Sequence, residues 1–301
     1  MGVIALDWDD LRIFLAVARS ESLSRAGAAL RIDPATVGRR IARLEDRLAA
    51  KLFTKSPLGY ALTDAGQRLV PHAEAAEQAA VGAAGELQTG AAGLSGTIRI
   101  GAPDGCANYL LPQVTAGICD ANPGMEVQIV ALPRVFNLSK READMAISVS
   151  PPTAGRLSVQ KITDYRLSLA ASQGYIDRHG TLTNRDDLTG HRVVSYIPDM
   201  IFDKELDYLA ELGLTAAPLA SNSVSVQFMW VRAGAGIGIV HDFAVPSAPD
   251  VVRLIPGQFS LTRSFWLIRH ADDRRMERMN RIAVALVEGL RREVQRLESI
   301  A

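Results

Sequence analysis

The sequence predicts an all-α N-terminal unit of winged helix-turn-helix type, a long connecting helix, and a larger α/β domain of two lobes. Three observations carry this reading. Residues 22–48 read as two short helices around a tight turn, the second studded with arginine. Residues 63–87 form one alanine-rich helical pattern. From Thr97 onward, short apolar strands alternate with amphipathic helices, as in an α/β fold with a mainly parallel sheet.

Asp10 to Arg19 places Leu11, Phe14, Leu15 and Ala18 on one helical face, and Ser22 can cap a second helix that packs Ala26, Ala29 and Leu30. The third helix opens at Asp33-Pro34. An acceptor at the N-cap satisfies orphan amides, and proline at the first helical position gives up an N–H that had no partner. Val37, Ile41, Leu44 and Leu48 recur as one apolar stripe, while Thr36, Arg40, Arg43 and Arg47 repeat one residue earlier and Arg39 lies opposite the stripe. A helix buried on one side and presenting guanidiniums on the other suits a DNA major groove. Taken alone, it also fits an ordinary core helix with a solvated basic face. Leu52-Phe53, a Pro- and Gly-containing loop at Ser56–Tyr60 and Ala61-Leu62-Thr63 then read as a wing. From Arg19 to Lys55, nine basic residues face four acidic ones, a local charge of +5 in a chain of net charge zero. One basic end on a neutral protein fits DNA binding at one site without a general affinity for polyanions.

At 301 residues the chain is long enough for two or three domains, each with its own core. A hydrophobic share of 48% and a mean hydropathy of +0.09 describe a soluble protein. Met1–Leu6 lacks a basic region and a cleavage site, and no apolar run approaches membrane-spanning length, so a cytoplasmic protein without membrane partners is expected. Two cysteines, Cys106 and Cys119, make no disulfide framework and fit a reducing compartment.

Thr63 is a plausible N-cap for the long helix, whose Ala65, Leu69, Ala73, Ala76, Ala80, Ala84 and Leu87 follow near-heptad gaps. Small side chains permit close approach of a second helix, although packing on its own domain is the alternative. Pro71 is placed to kink it, and Gln88–Gly96 reads as a Gly-rich hinge. Strands are expected at Ile98–Gly101, Val127–Leu132, Met145–Val149, Leu167–Ala171, Val193–Tyr196, Ile237–Val240 and Phe265–Ile268. Helices are expected at Tyr109–Asp120, Gly174–His179, Lys204–Leu212, Val224–Ala233 and Met276–Leu297, with lobe crossings near Thr163 and Thr262.

The motifs DLRIFLAVA, SLSRAGAAL, PATVGRRIARLEDRL and LTDAG, in this order and spacing, resemble the LysR-type bacterial transcriptional regulators over nearly the whole chain. Two positions depart: Gly27 stands where alanine is usual, and Gly38 where many members have serine, at about 1 kcal/mol of helix propensity relative to alanine. The resemblance implies a winged helix-turn-helix domain at 1–63, a linker and dimerisation helix at 64–90, and an effector-binding domain at 91–301 similar to periplasmic binding proteins. Lobe I of that domain would comprise 97–163 and 263–301, and lobe II 164–262. The implied partners are double-stranded DNA with inverted-repeat sites, a small-molecule effector and further copies of the chain.

Candidate DNA-binding residues are Ser22, Ser24, Arg25, Thr36, Arg39, Arg40 and Arg43, with Lys55, Ser56 and Tyr60 on the wing. Candidate dimerisation residues are Ala65, Leu69, Ala73, Ala76, Ala80 and Leu87. In such a domain the ligand lies between lobes, beyond strand carboxyl ends and near helix N-termini. That nominates Pro103, Asp104, Cys106 and Asn108 after the first strand, and Leu132, Pro133 and Arg134 after the second. Ser148, Val149 and Ser150 follow the third, and Tyr196, Ile197, Asn222, Ser223, Val224 and His241 lie on the second lobe. Family members often place Ser or Thr where Pro103-Asp104 stands, and an acid there opposes a carboxylate effector.

Sharper-looking signals carry less. Gly234-Ala235-Gly236-Ile237-Gly238 follows a helix and precedes a strand, the reverse of a nucleotide fingerprint, and reads as a tight turn. The five histidines are scattered without a metal-ligand spacing, no G-x-S-x-G occurs, and no cofactor is expected. Cys106 has no neighbouring lysine or histidine in sequence to activate it and reads as a structural cysteine. An α/β enzyme with a helical appendage, or an architectural DNA binder without effector, would be the alternatives to a regulator.

Overall fold

The computed structural model describes residues 6–56, 59–88, 94–131, 143–152 and 155–301, and divides into two compact units, 1–90 and 91–301. In the first unit, α1 (Trp8–Ser20), α2 (Leu23–Leu30) and α3 (Pro34–Leu48) each start on a side-chain cap: Asp7, Ser22 and Asp33. Each ends on a left-handed residue, Glu21, Arg31 and Ala49, whose amide bonds back to the last turn. Val37, Ile41 and Leu44 are buried, as the stripe requires. Ile13 and Val17 are buried along with Leu11, Phe14 and Leu15, because α2, α3 and the following helix all pack on α1.

The wing is β1 (Phe53–Ser56) paired antiparallel with β2 (Gly59–Leu62), from Phe53 opposite Leu62 to Ser56 opposite Gly59. The Tyr60 amide donates to the Glu21 carbonyl at 2.9 Å, tying the wing to the end of α1. Gly59 sits at φ +130°, and a β-carbon there would run into that same carbonyl. Thr63 caps α4 (Asp64–Gln88): its hydroxyl accepts from Gly66 N and donates to the Lys51 carbonyl. Pro71 lies inside α4.

Among the described residues, the second unit holds one nine-stranded sheet. Its strands are β3 (Ser95–Ala102), β4 (Gly124–Ala131), β5 (Met145–Ser148), β6 (Leu157–Ser172), β7 (Val193–Ser195), β8 (Leu219–Ala220), β9 (Ile237–His241), β10 (Val251–Arg253) and β11 (Leu261–His270). The order is β4-β3-β5-β11-β6-β9-β7-β8, with β10 also on β6. The expectation of a mainly parallel sheet is corrected here. β4-β3-β5 and β9-β7-β8 are parallel, but β11 and β6 pair antiparallel with each other, with β5 and with β9. Thr163 and Thr262 lie inside these two long strands, so the crossings are one continuous ladder, with a register shift between Phe265 and Trp266.

Helices α5 (Asp104–Tyr109), α6 (Leu111–Ala121), α7 (Gln173–His179), α8 (Tyr208–Leu212), α9 (Val224–Arg232) and α10 (Glu277–Glu298) flank the sheet. The helix expected at Tyr109–Asp120 is interrupted at Leu110, where Pro112 stands in the first turn of α6. The helix expected at Lys204–Leu212 is a 3₁₀ turn followed by a new start, because Asp207 accepts from Ala210 N and caps α8. Gly234, at φ +71°, turns the chain from α9 into β9, as a tight turn should.

The two unusual glycines have opposite surroundings. A β-carbon on Gly27 would lie 2.7 Å from the Ile32 carbonyl, inside the helix-turn-helix turn, whereas one on Gly38 meets only Leu23 Cδ1 at 3.4 Å. Gly27→Ala should therefore lower the melting temperature, while Gly38→Ala should raise stability by up to about 1 kcal/mol, both read by thermal denaturation.

Candidate functional site

The arginine face of α3 is divided. Arg39 is exposed, and its Nη2 donates to Thr36 Oγ1 at 3.0 Å. Arg40 turns back toward the first turn of α1, where its Nε donates to Asp10 and its Nη2 lies 2.8 Å from Asp9. Arg43 Nη2 donates to Asp10 at 2.6 Å, and Arg47 Nη1 reaches the same carboxylate at 3.5 Å. Asp10 is 0% exposed. Burial works to raise its pKa, but the hydrogen bonds and charges of Arg43 and Arg40 outweigh it and hold the carboxyl below its usual range. Of the three candidate DNA-binding arginines on α3, Arg40 and Arg43 thus also hold α1 to α3, although the Arg43 side chain remains 43% exposed.

Around this helix, Ser24 and Arg25 are exposed at the start of α2, and the Ser22 hydroxyl accepts from Arg25 N as the cap. Lys55 is exposed on β1, and Tyr60 is half-buried edge-on to Phe53. The Ser56 side chain lies outside the described ones. Glu45 escaped the sequence reading. It is buried on the apolar side of α3 and accepts from the amides of Leu52 and Phe53, fixing where the wing begins. Burial opposes its ionised form, but the Lys51 ammonium and the two amides hold its pKa down. The signal was available: Asp10 and Glu45 are carboxylates standing at helical spacing on apolar stripes.

On α4, Ala73 is fully buried and Ala65, Leu69 and Ala76 are partly buried, all against the core of their own unit. Ala80 is exposed, and the Leu87 side chain lies outside the described ones. The first half of the alanine seam therefore serves its own domain.

In the second unit, Pro103, Asp104, Cys106, Val149, Tyr196, Asn222, Val224 and His241 line one cavity. Gly105, Phe202, Leu206 and Phe265 complete its wall and were not foreseen as ligand contacts. The cavity measures about 20 Å³, room for a water molecule. Asn108, Ser148, Ser150 and Ser223, expected at the site, are not among the residues lining it. Pro133, with Leu132 and Arg134, lies outside the described residues.

Asp104, the first residue of α5 just past β3, bonds the start of α9. Its Oδ2 accepts from Ser223 Oγ and Ser225 N at the start of α9, each at 2.8 Å, and its Oδ1 accepts from Asn108 Nδ2 at 2.8 Å. Asn108 Nδ2 also reaches Ser225 Oγ at 3.0 Å. Ser150 Oγ donates to Asp203, while Ser148 Oγ donates to the Ser150 carbonyl at 2.7 Å. His241 stacks on Tyr165, and a β-carbon on Gly105 would lie 3.1 Å from its ring and 3.2 Å from Val224. Burial pushes the His241 imidazole down to about 4, against the pull of Asp104, so the ring is neutral at physiological pH. Burial alone raises the Cys106 thiol far above its ordinary value, which makes it a poor nucleophile. Among the described residues, no group of three or more His, Cys, Asp or Glu is placed to hold a metal ion.

The model of the bacterial regulatory helix-turn-helix proteins of the lysR family matches residues 8–67, and that of the LysR substrate-binding domain matches residues 91–291. The chain belongs to the LysR family. It is a DNA-binding transcription regulator with an effector-binding domain, not an enzyme. The HTH-type transcriptional regulator PtxR of Pseudomonas aeruginosa is 26% identical over 260 residues, covering 84% of this chain and 83% of its own. In fold, this chain is similar to full-length OxyR of the same species (TM-score 0.73, 19% identity, 95% of each chain). It is also similar to LysG of Corynebacterium glutamicum, solved with its bound effector Arg (TM-score 0.64, 17% identity, 95% of this chain and 98% of that one). As in other LysR proteins, the N-terminal unit reads DNA and the C-terminal unit carries the effector site. No helix among the described residues is long and apolar enough to cross a membrane.

Asp10→Asn should lower stability by about 2–3 kcal/mol, because it removes the ionised partner of hydrogen bonds from three arginines, Arg40, Arg43 and Arg47. Denaturant unfolding at pH 7 measures this. Since the folded carboxyl titrates below its ordinary value of 3.8, the deficit should shrink as the wild type loses the same contribution on acidification below that value. His241 gives a second window. Its neutral form is favoured in the fold, so the unfolded chain binds more protons between about 4 and 6.5, and stability should rise with pH across that interval and level off above it. His241→Gln should flatten that part of a melting-temperature profile.

Proposed function

We propose that this LysR regulator reads its operator through the exposed start of α3, with Thr36 and Arg39 at base edges and Ser24 and Arg25 of α2 beside them. Arg43 reaches the DNA backbone from its anchorage on Asp10, and Arg40 serves chiefly to hold α1 against α3. Lys55 and Tyr60 bring the wing onto phosphates. The observation that supports this division most directly is the pairing of Arg40 and Arg43 with Asp10 while Arg39 bonds only Thr36 among the described residues.

The effector binds in the cavity bounded by Asp104, Tyr196, Asn222 and His241, and its differential affinity for two arrangements of the lobes shifts operator binding. Copies of the chain pair through the side of α4 that includes exposed Ala80 and continues toward Leu87, so that two recognition helices meet inverted half-sites. The absence of a long apolar helix among the described residues supports a cytoplasmic location, where the operator lies.

Arg39→Ala should weaken operator binding by about 1–3 kcal/mol while leaving the melting temperature unchanged. Arg40→Ala should do the reverse, lowering the melting temperature with a smaller direct loss of affinity. Lys55→Ala should weaken all DNA sequences alike and reduce the salt slope by about one. Fluorescence anisotropy on operator and scrambled DNA, paired with thermal melts, separates the three; wild-type affinity in Arg39→Ala would refute the division.

A further inference from the structure

The place where an anion would bind in the cleft is already taken. The α9 N-terminus offers the Ser223 hydroxyl and the Ser225 amide, and the dipole of a nine-residue helix adds to them. Asp104 receives both donors from across the cleft, and Asn108 holds its other oxygen. A carboxylate or phosphate entering here would have to displace a tethered carboxylate or sit beside it.

The remaining charge points the same way. Asp104 is the one charged side chain among the residues lining the cavity, and a second carboxylate, Asp203, follows the lining residue Phe202 in the chain and accepts from Ser150 Oγ. Arg263, whose charge reaches the buried Tyr208, is engaged by Glu205 at 2.8 Å and Glu211 at 2.6 Å. His241 adds no positive charge, because burial keeps its ring neutral. The other walls are largely aromatic, with Tyr196, Phe202 and Phe265 presenting ring surface that suits a cation. Behind them, the buried hydroxyls of Tyr165 and Tyr208 have no hydrogen-bond partner among the described residues.

We infer that Asp104 sets the ligand class of this cleft: it admits a small amine with an apolar body and rejects carboxylates and phosphates. This rests on the effector-cleft reading above. A cavity with room for a water molecule admits such a ligand only when the lobes part. An ammonium provides the means, because it donates to Asp104 in place of Ser223 and Ser225 and so releases α9 from the first lobe. The ligand then opens the cleft by exchanging one set of donors on a single carboxylate for another.

The test uses the full chain, with benzylamine and phenethylamine set against benzoate and phenylacetate in calorimetry and thermal-shift titrations. The wild type should bind the amines and ignore the acids. Asp104→Asn, which keeps the side chain's shape, should weaken amine binding at least tenfold. Asp104→Gly, which vacates the α9 N-terminus, should gain affinity for acetate and benzoate at least tenfold over wild type. Amines silent on the wild type, equal amine binding by wild type and Asp104→Asn, or acids bound as well by wild type as by Asp104→Gly would each overturn the inference. Should Asp104→Gly fail to fold, the wild-type and Asp104→Asn titrations decide. Operator binding by the ligand-free wild type is measured in parallel, because its absence would count against the regulator's assigned operator contacts and leaves the ligand-class result standing on its own.

Discussion

The ladder between β6 and β11 carries the second unit. Two long antiparallel strands run from Leu157 to Ser172 and from Leu261 to His270, and every other ladder of the unit is attached to one of them directly or through one further strand or two. On one side, β5 docks on β11 and brings β3 and β4 with it. On the other, β9 and β10 dock on β6, and β7 and β8 follow. A backbone that must serve two lobes cannot be straight through both, and the register shift beside Phe265 falls where the expected crossing at Thr163 lies opposite it. The residues that line the cavity are carried by elements attached to this ladder on both sides.

Three side chains repeat one physical device. Asp10, Glu45 and Asp104 each bring a carboxylate away from bulk water and surround it with donors from a different element. Burying a charge is costly unless it is paired and hydrogen-bonded. Each carboxylate thus fixes a geometry more than it adds attraction, because few arrangements of the neighbouring donors satisfy it. Asp10 ties α1 to α3, Glu45 ties α3 to the start of the wing, and Asp104 ties α5 to α9. The three differ in what competes for them. Asp10 is fully enclosed by arginines, whereas Asp104 faces a cavity through which a ligand donor can arrive.

Much of this was legible in the chain because it is local. Asp33-Pro34, Ser22 and Thr63 cap helices where their chemistry says they should, and the stripe of Val37, Ile41 and Leu44 is buried. The elements that misread depend on distant partners or on proline and cap chemistry within a periodic stretch. Pro112 and Asp207 interrupt patterns whose periodicity runs straight through them. The antiparallel centre of the sheet misled because only the buried stretches Leu167–Ala171 and Phe265–Ile268 of β6 and β11 were legible as strands, and short apolar runs carry no sign of direction. The double duty of Arg40 and Arg43 could be suspected from Asp10, which stands a turn before Ile13 and Phe14, but the sequence does not say which guanidinium that carboxylate recruits.

Gly105 lets α5 come close to its neighbours. The atoms its missing side chain would meet, the His241 ring at 3.1 Å and Val224 at 3.2 Å, belong to the end of β9 and the start of α9. A methyl group at this position fits only if those side chains give by a few tenths of an ångström. Residues 104 and 105 thus bear on one seam by different means, the first through the donors it gathers and the second through the space it leaves.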